Sequence, residues 1–138
     1  MGVDAGYLKQ RMTEVLEAIS ELKRLTSKPY SKLRSDERYS IRYHVIVLAE
    51  SVGSMCVHVA TEDLRREPLS YSECFKMLED EGVFDCAKDL IETMRLRNLL
   101  VHRYWTIDDA QVYDSIKKNF ECVHKFLRSM KGKYGINL

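Results

Sequence analysis

The sequence predicts an all-α protein, an antiparallel four-helix bundle with one additional short helix. Apolar residues recur every three or four positions along almost all of the 138 residues, which is the spacing of an amphipathic helix. No stretch alternates apolar and polar residues as a half-buried β-strand would. Short connecting segments separate the helical stretches, so neighbouring helices are expected to pack in a single domain over residues 1–138.

The first predicted helix carries one apolar stripe and ends near Pro29. The residues of this stripe alternate between spacings of four and three, so they lie on one face of a helix. They are Leu8, Met12, Val15, Ile19 and Leu22.

The second predicted helix is long and carries two adjoining apolar stripes. Ser35 is its expected N-cap, followed by Asp36 and Glu37 where the helix dipole favours anions. Two stripes predict a helix covered on more than one side, either the central helix of the bundle or part of a subunit interface. The first stripe is Ile41, Val45, Leu48, Val52, Met55 and Val59, and the second is Ile46, Ala49, Gly53, Cys56 and Ala60.

A short third helix is predicted after Pro68, which interrupts the helical pattern. Ser70 and Glu73 have the spacing of a capping box at its start. The helix is expected to stop near Gly82.

Two more helices are predicted in the last third of the chain. The fourth covers about Phe84 to Val101. Thr106 and Asp109 have another capping-box spacing and open one last helix, whose apolar stripe reaches Met130. The tail, residues 132–138, is expected to fray.

Composition limits the functional classes. With 22 basic and 21 acidic residues the formal charge is +1, which excludes a global attraction to nucleic acid but not a local one. The longest apolar run, Val45 to Ala49, is far shorter than the roughly 20 residues that span a bilayer. Residues 1–25 contain charges throughout and lack the apolar segment of a signal peptide. A cytoplasmic protein without a membrane partner is therefore expected.

Metal and disulfide sites are not expected. The four cysteines include no C-x-x-C pair, and a disulfide framework is unexpected in a reducing compartment. Cys56 and Cys122 lie among apolar residues at helical spacing and are interpreted as buried small hydrophobes. His44 and His58 share a helix face but lack a third ligand, which favours polar core or interface residues over metal ligands.

The fourth predicted helix has charge in line with its apolar seam. The seam runs through Val83, Ala87, Leu90, Met94 and Val101. Position 97, between the last two, is arginine, and position 104 is tyrosine. A cation in an apolar seam is costly unless it faces a partner or a ligand, so this segment is the candidate functional site.

Five chemically active residues lie within eight positions of this segment. They combine cationic or titratable groups with an amide and a phenol, and no nearby carboxylate in the sequence neutralises them. The sequence therefore predicts an anion-binding surface that contains a proton-transferring residue. The five are Arg97, Asn98, His102, Arg103 and Tyr104.

Arg97 and His102 point about 140° apart on an ideal helix. They could meet if the helix unwinds before Trp105, through the reach of the arginine, or by pairing of two copies of the segment. Trp105 and Ile107, which follow, are interpreted as packing anchors that fix the turn.

Residues 97–108, RNLLVHRYWTID, resemble the R-x4-H-x-Y signature of HEPN-domain proteins of the HepT type. The resemblance is looser over residues 36–130, where it rests on helix order and on Glu37-Arg38-Tyr39 at the start of the second helix.

This resemblance implies a helical homodimer that places both R-x4-H segments in one cleft. Similar proteins are metal-independent ribonucleases without a cofactor, and they act as the toxin of a prokaryotic toxin–antitoxin pair. The implied partner is a minimal nucleotidyltransferase antitoxin that transfers AMP to the motif tyrosine, here Tyr104. The alternative is a non-catalytic partner of the nucleotidyltransferase that binds a nucleotide or substrate.

Each site residue can be given a chemical role in RNA cleavage. His102 is the acid–base candidate because histidine exchanges a proton near neutral pH. Arg97 can hold phosphate oxygens with its planar fork of donors and stabilise the transition state. Asn98 does not titrate and is assigned to orienting His102 or the phosphate. Arg103 is a secondary phosphate contact.

Overall fold

A computed structural model describes residues 2–118 and 120–138, and within them it contains six α-helices and no β-strand. The all-α prediction is confirmed, but the predicted last helix is two helices, so there is one helix more than expected. The bounds are α1 Ala5–Thr26, α2 Ser35–Glu62, α3 Tyr71–Asp80, α4 Ala87–His102, α5 Asp109–Lys118 and α6 Glu121–Tyr134. Two short 3₁₀ turns, Tyr30–Lys32 and Tyr104–Thr106, precede α2 and α5.

Helix α2 is the central helix. It packs against α1, α3, α4 and α5. Every member of its first predicted stripe is buried, and of the second stripe only Ile46 is partly exposed. The prediction of a helix covered on more than one side is therefore confirmed.

The same helix is long and apolar enough, by length and composition, to cross a membrane. Its uninterrupted apolar run is too short to span a bilayer, whereas its mean hydropathy over 18 residues is high enough for a span. More than half of that window is buried against the rest of the protein. The central position of α2 in the core accounts for its apolar composition.

The buried apolar side chains of the described residues form one hydrophobic cluster. Phe126 of α6 lies at one end of it, fully buried, with Phe84 and Phe75 edge-to-face against it at centroid distances of 5.2 and 6.2 Å. This aromatic group ties α6 to α3 and to the segment before α4, at the end of α4 remote from Arg97.

The helix starts follow local side-chain chemistry. Ser70 Oγ accepts a hydrogen bond from Glu73 N at 3.0 Å, which confirms the predicted cap of α3. Gly82 follows the end of α3 with a φ of +78°, a conformation that favours glycine. Helix α2 begins at Ser35 itself, with Arg34 at the cap position and Arg34 N donating to Glu37 Oε1 at 3.0 Å. That backbone bond and the Lys28 ammonium hold the pKa of Glu37 below its ordinary value.

The cysteine prediction is wrong at one pair. Cys86, at the N-cap of α4, and Cys122, in the first turn of α6, form a disulfide with a Cα–Cα distance of 6.0 Å. They lie 36 residues apart and meet only because α6 packs beside the start of α4, so spacing could not reveal the pair. Cys56 is a buried free cysteine as predicted, and burial raises the pKa of its thiol.

The C-terminal tail is better anchored than its sequence suggests. Helix α6 continues to Tyr134 and ends at Gly135, whose φ of +64° is the left-handed cap conformation. Ile136 is buried beyond it, and Tyr134 Oη donates to Asp63 Oδ2 at 2.7 Å.

Candidate active site

The predicted apolar seam of α4 leaves the core after Met94, although Leu100 on another line of the helix stays buried. Ala87, Leu90 and Met94 are buried as the predicted seam requires, whereas Val101 and Tyr104 are exposed. The seam is therefore a core contact only in the first half of α4, and its second half becomes a surface. The residues of the R-x4-H-x-Y segment stand on this surface.

Arg97 is held by two side chains. Its Nη2 forms an ion pair with Glu50 Oε1 of α2, and its Nη1 donates to Asn98 Oδ1 at 2.8 Å. The side chains are partly buried, with 22% of Arg97 and 36% of Glu50 exposed. No nearby carboxylate in the sequence neutralises this segment, but the packing of α2 against α4 brings in Glu50 from a distant part of the sequence.

Asn98 orients Arg97 in this structure rather than His102. His102 is the exposed last residue of α4, and within residues 2–118 and 120–138 its imidazole makes no hydrogen bond or ion pair. The helix is regular up to His102 and departs from helical geometry at Arg103, with φ −139° and ψ 40°. Unwinding therefore begins after His102, and one protomer does not join the imidazole to Arg97.

Tyr104 and Trp105 form an exposed aromatic pair. They lie in the 3₁₀ turn after α4, 60% and 69% exposed, with ring centroids 5.4 Å apart in an edge-to-face arrangement. The interpretation of Trp105 as a packing anchor is wrong, because the turn projects its ring away from the core. Ile107 is half-buried against the core and does anchor the turn.

Arg42 of α2 holds the backbone of this turn. Its guanidinium donates to both carboxylate oxygens of Asp109, from Nε at 2.7 Å and from Nη2 at 3.0 Å. Its Nη1 also donates to the Tyr104 carbonyl oxygen at 3.3 Å. These bonds tie the exposed tyrosine to α2 and to the start of α5. The hydrogen bond to the Asp109 carboxylate raises the pKa of Arg42.

The predicted cap of the last helix is wrong. Asp108, not Thr106, caps α5, because its Oδ1 accepts from Ala110 N at 3.0 Å. Thr106 instead donates its hydroxyl to the Arg103 carbonyl oxygen at 2.8 Å, and Asp109 is taken by Arg42.

We predict that Arg42→Ala destabilises the protein by about 1–2 kcal/mol. The change leaves the largely buried Asp109 carboxylate without its partner and frees the Tyr104 turn. Chemical denaturation measures the free energy of unfolding. The matched control is Arg24→Ala, which removes a solvent-exposed ion pair with Glu21 and is expected to have a smaller effect. Equal losses in the two variants would contradict the clamp.

The other sequence candidates fall into two groups. Arg103 is exposed, and no carboxylate faces it among the described residues, so it remains available to an anion. His44 bonds the Ser40 carbonyl oxygen of its own helix at 2.8 Å, and His58 Nε2 accepts from Asp4 N at 2.9 Å. The two histidines are polar structural residues, and the described part of the chain contains no group of metal-ligating side chains.

The sequence alone did not indicate that three further residues belong to this site. Arg42 and Glu50 of α2, and Tyr71 beyond them, act through contacts across helices and carry no local motif. Only the residues of α4 and the turn after it show the spacing and residue types that predict the site.

Solved structures with the same fold include toxin–antitoxin complexes and a cytosolic protein. A tri-AMPylated HEPN toxin of Shewanella oneidensis, in complex with its MNT antitoxin, superimposes with a TM-score of 0.83 at 16% identity, over 91% of this chain and 97% of that one. A toxin–antitoxin structure with AMP-PNP gives a TM-score of 0.84 at 15% identity, over 92% and 98%. YutE, a cytosolic protein of unknown function from Bacillus subtilis, gives 0.83 at 17% identity, over 96% and 91%. No curated protein matches the sequence.

The fold is therefore that of the HEPN toxins. The family model described as "Ribonuclease HepT-like" matches residues 15–130, which include all of α2 to α5 and the R-x4-H-x-Y segment. This chain belongs to the HepT-like ribonuclease family, as the motif in α4 predicted.

Proposed function

We propose that this protein is a metal-independent RNA endonuclease that acts as the toxin of a prokaryotic toxin–antitoxin pair. The observation that carries the proposal is the match of residues 15–130 to the HepT-like ribonuclease family, together with the partly buried guanidinium of Arg97 and the exposed imidazole of His102 in the second half of α4. The protein is cytoplasmic in this proposal, and residues 1–138 act as one domain.

The proposed chemistry is attack of the RNA 2′-hydroxyl on the adjacent phosphorus. A base removes the hydroxyl proton, the new P–O bond forms, and the bond to the 5′-oxygen breaks as an acid protonates that oxygen. His102 performs proton transfer, since imidazole accepts and donates protons near neutral pH. Arg97, oriented by Asn98, stabilises the charge on the pentacoordinate phosphorus, and Arg103 contacts a neighbouring phosphate.

A homodimer would bring together the arginine and histidine side chains that lie apart in one protomer. Arg97 and His102 make no contact with each other in one chain, and two copies of the segment would place two imidazoles and two guanidiniums in one cleft. Exposed aromatic and apolar side chains in and near the segment support such a pairing, because an exposed apolar surface is typical of a protein–protein interface. They include Tyr39 and Tyr43 of α2 and Leu99, Val101 and Trp105 beside the motif.

Tyr104 is the proposed acceptor of AMP from a minimal nucleotidyltransferase antitoxin. Its ring is 60% exposed, and the turn that carries it is held by Arg42. An adenylyl group on this oxygen would put a phosphate beside Arg103 and His102 and compete with RNA for the same cations.

A second candidate function is a non-catalytic binding partner of the nucleotidyltransferase. The observation that favours it is the pairing of Arg97 with Glu50 and Asn98, which occupies donors that a phosphate would otherwise use.

The testing experiment is RNA cleavage by the purified protein with and without a chelator. We expect cleavage at an equal rate in both, with products ending in a 2′,3′-cyclic phosphate and a 5′-hydroxyl, and a dimer in solution. Chelator-sensitive cleavage would contradict the metal-free mechanism. Absence of cleavage together with a stable nucleotidyltransferase complex would favour the second candidate.

A further inference from the structure

We propose that Glu50 is a positioning residue for Arg97, and that Tyr71 and Gly53 hold Glu50 in place. This proposal rests on the proposed nuclease function and adds to it a set of residues outside the R-x4-H-x-Y segment. The residues lie on α2 and at the first position of α3, so the proposed phosphate-binding arginine would depend on three helices.

The Glu50–Arg97 contact restricts the guanidinium. The Arg97 Nε and the Glu50 Oε1 are covered from solvent, and the Nε has no hydrogen-bond acceptor within the described residues. The Nη2 faces Glu50 and the Nη1 faces Asn98. Because each of the two terminal nitrogens is tethered to a different side chain, the plane of the guanidinium is defined in the free protein.

Tyr71 and Gly53 define where the Glu50 carboxylate lies. Tyr71 Oη donates to Glu50 Oε2, the oxygen that does not face Arg97, at 3.4 Å. The Tyr71 ring lies so close to α2 that a Cβ added to Gly53 would be 2.9–3.0 Å from its carbon atoms. Glycine inside a helix is unfavourable relative to alanine, and here its missing Cβ makes the room that the Tyr71 ring occupies.

The arrangement leaves Arg97 able to bind a phosphate. Nη1 carries two N–H groups and donates one to Asn98, so the other remains for a phosphate oxygen. Nη2 contacts Glu50 as an ion pair. Glu50 also borders a groove of about 500 Å³ between α1 and α2 that contains Glu14, Glu17 and Glu21. Arg11 also lines this groove and pairs with Glu14, which leaves the groove with a net negative charge. Because this charge disfavours RNA, we expect the phosphate to approach Arg97 from the side away from Glu50. Glu50 therefore orients the arginine without occupying the position of the phosphate.

Steady-state cleavage of a single-stranded RNA oligonucleotide by the full-length protein tests this role. We expect Glu50→Gln to lower kcat about ten- to a hundredfold, with KM changed less than about threefold, because a misdirected guanidinium stabilises the transition state less well. Tyr71→Phe is expected to lower kcat in the same direction by a smaller factor. Adding Tyr71→Phe to Glu50→Gln is expected to cause no further loss, since the two residues act through one contact chain.

Gly53→Ala and Glu17→Gln complete the series. Gly53→Ala should reproduce the loss of kcat by displacing the Tyr71 ring. If Gly53→Ala does not fold, the kcat of Tyr71→Phe tests whether Tyr71 holds Glu50 in place. Glu17→Gln removes an exposed carboxylate from the same groove and is expected to keep the wild-type kcat.

The outcomes separate the two proposals. Wild-type kcat in Glu50→Gln, while Arg97→Ala is inactive, would overturn the positioning role and leave the nuclease function standing. Tighter RNA binding with faster cleavage in Glu50→Gln would also overturn it, since Glu50 would then be a competitor of the phosphate. Wild-type protein that cleaves no RNA would overturn the proposed function itself.

Discussion

Replacing His102 with alanine is expected to lower RNA cleavage by about 10²–10⁴-fold, the range that removal of a general acid–base group produces. Arg97→Ala is expected to lower it by about 10²–10³-fold, as loss of a preorganised donor to the developing charge does. His102 is exposed and makes no hydrogen bond or ion pair within the described residues, so its removal should leave the free energy of unfolding almost unchanged. The measurements are the cleavage rate of a labelled RNA and a denaturation curve for each variant.

Arg95→Ala is the matched control for the arginine. Arg95 lies on the same helix, is exposed, and pairs with Glu92 at 2.7 Å rather than with a group of the site. Its removal should change cleavage only slightly. Cleavage by His102→Ala at the wild-type rate would exclude the imidazole as the proton-transferring group.

Tyr104→Phe is expected to abolish neutralisation through AMP transfer and to leave cleavage active. In the proposed reaction the phenol oxygen forms a bond to the α-phosphorus of ATP, pyrophosphate leaves, and the phenol proton passes to solvent or a base. Phenylalanine lacks the oxygen, so the AMP adduct cannot form. Mass spectrometry after incubation with the antitoxin and ATP measures the adduct, and growth of cells that express both proteins measures neutralisation.

Tyr43→Phe provides the matched control for the tyrosine. Tyr43 is also an exposed tyrosine, 62% accessible, but it lies on α2 and not in the 3₁₀ turn of the motif. We expect the Tyr43→Phe variant to form the AMP adduct at Tyr104 as the wild-type protein does. An undiminished AMP adduct in Tyr104→Phe would assign the modification to another residue.

The helices were predictable because their signals are local. The two stripes of α2 and the Ser70 cap of α3 are periodic or short-range features, and the structure confirms them. The division of the last predicted helix into α5 and α6 was missed, because one apolar stripe runs through both. The start of α5 was misassigned to Thr106, since a capping-box spacing does not reveal that Arg42 takes the Asp109 carboxylate.

The candidate site was only partly predictable. An arginine in line with the α4 seam indicated a functional surface, and the family match includes that segment. The exposure of Trp105, the pairing of Arg97 with Glu50 and the Cys86–Cys122 disulfide all depend on which helices pack together. The ion pair and the disulfide each join residues that are far apart in the sequence, so no local spacing predicts them.

The amino-acid sequence by itself determined the helical class, the burial of α2 on more than one side and the identity of the motif residues, because periodicity and residue type act within one helix. Only the tertiary structure decided what each of those residues touches. Helix packing joins side chains from distant parts of the chain, and it thereby sets the partner of Arg97, the isolation of His102 and the clamp on the Tyr104 turn.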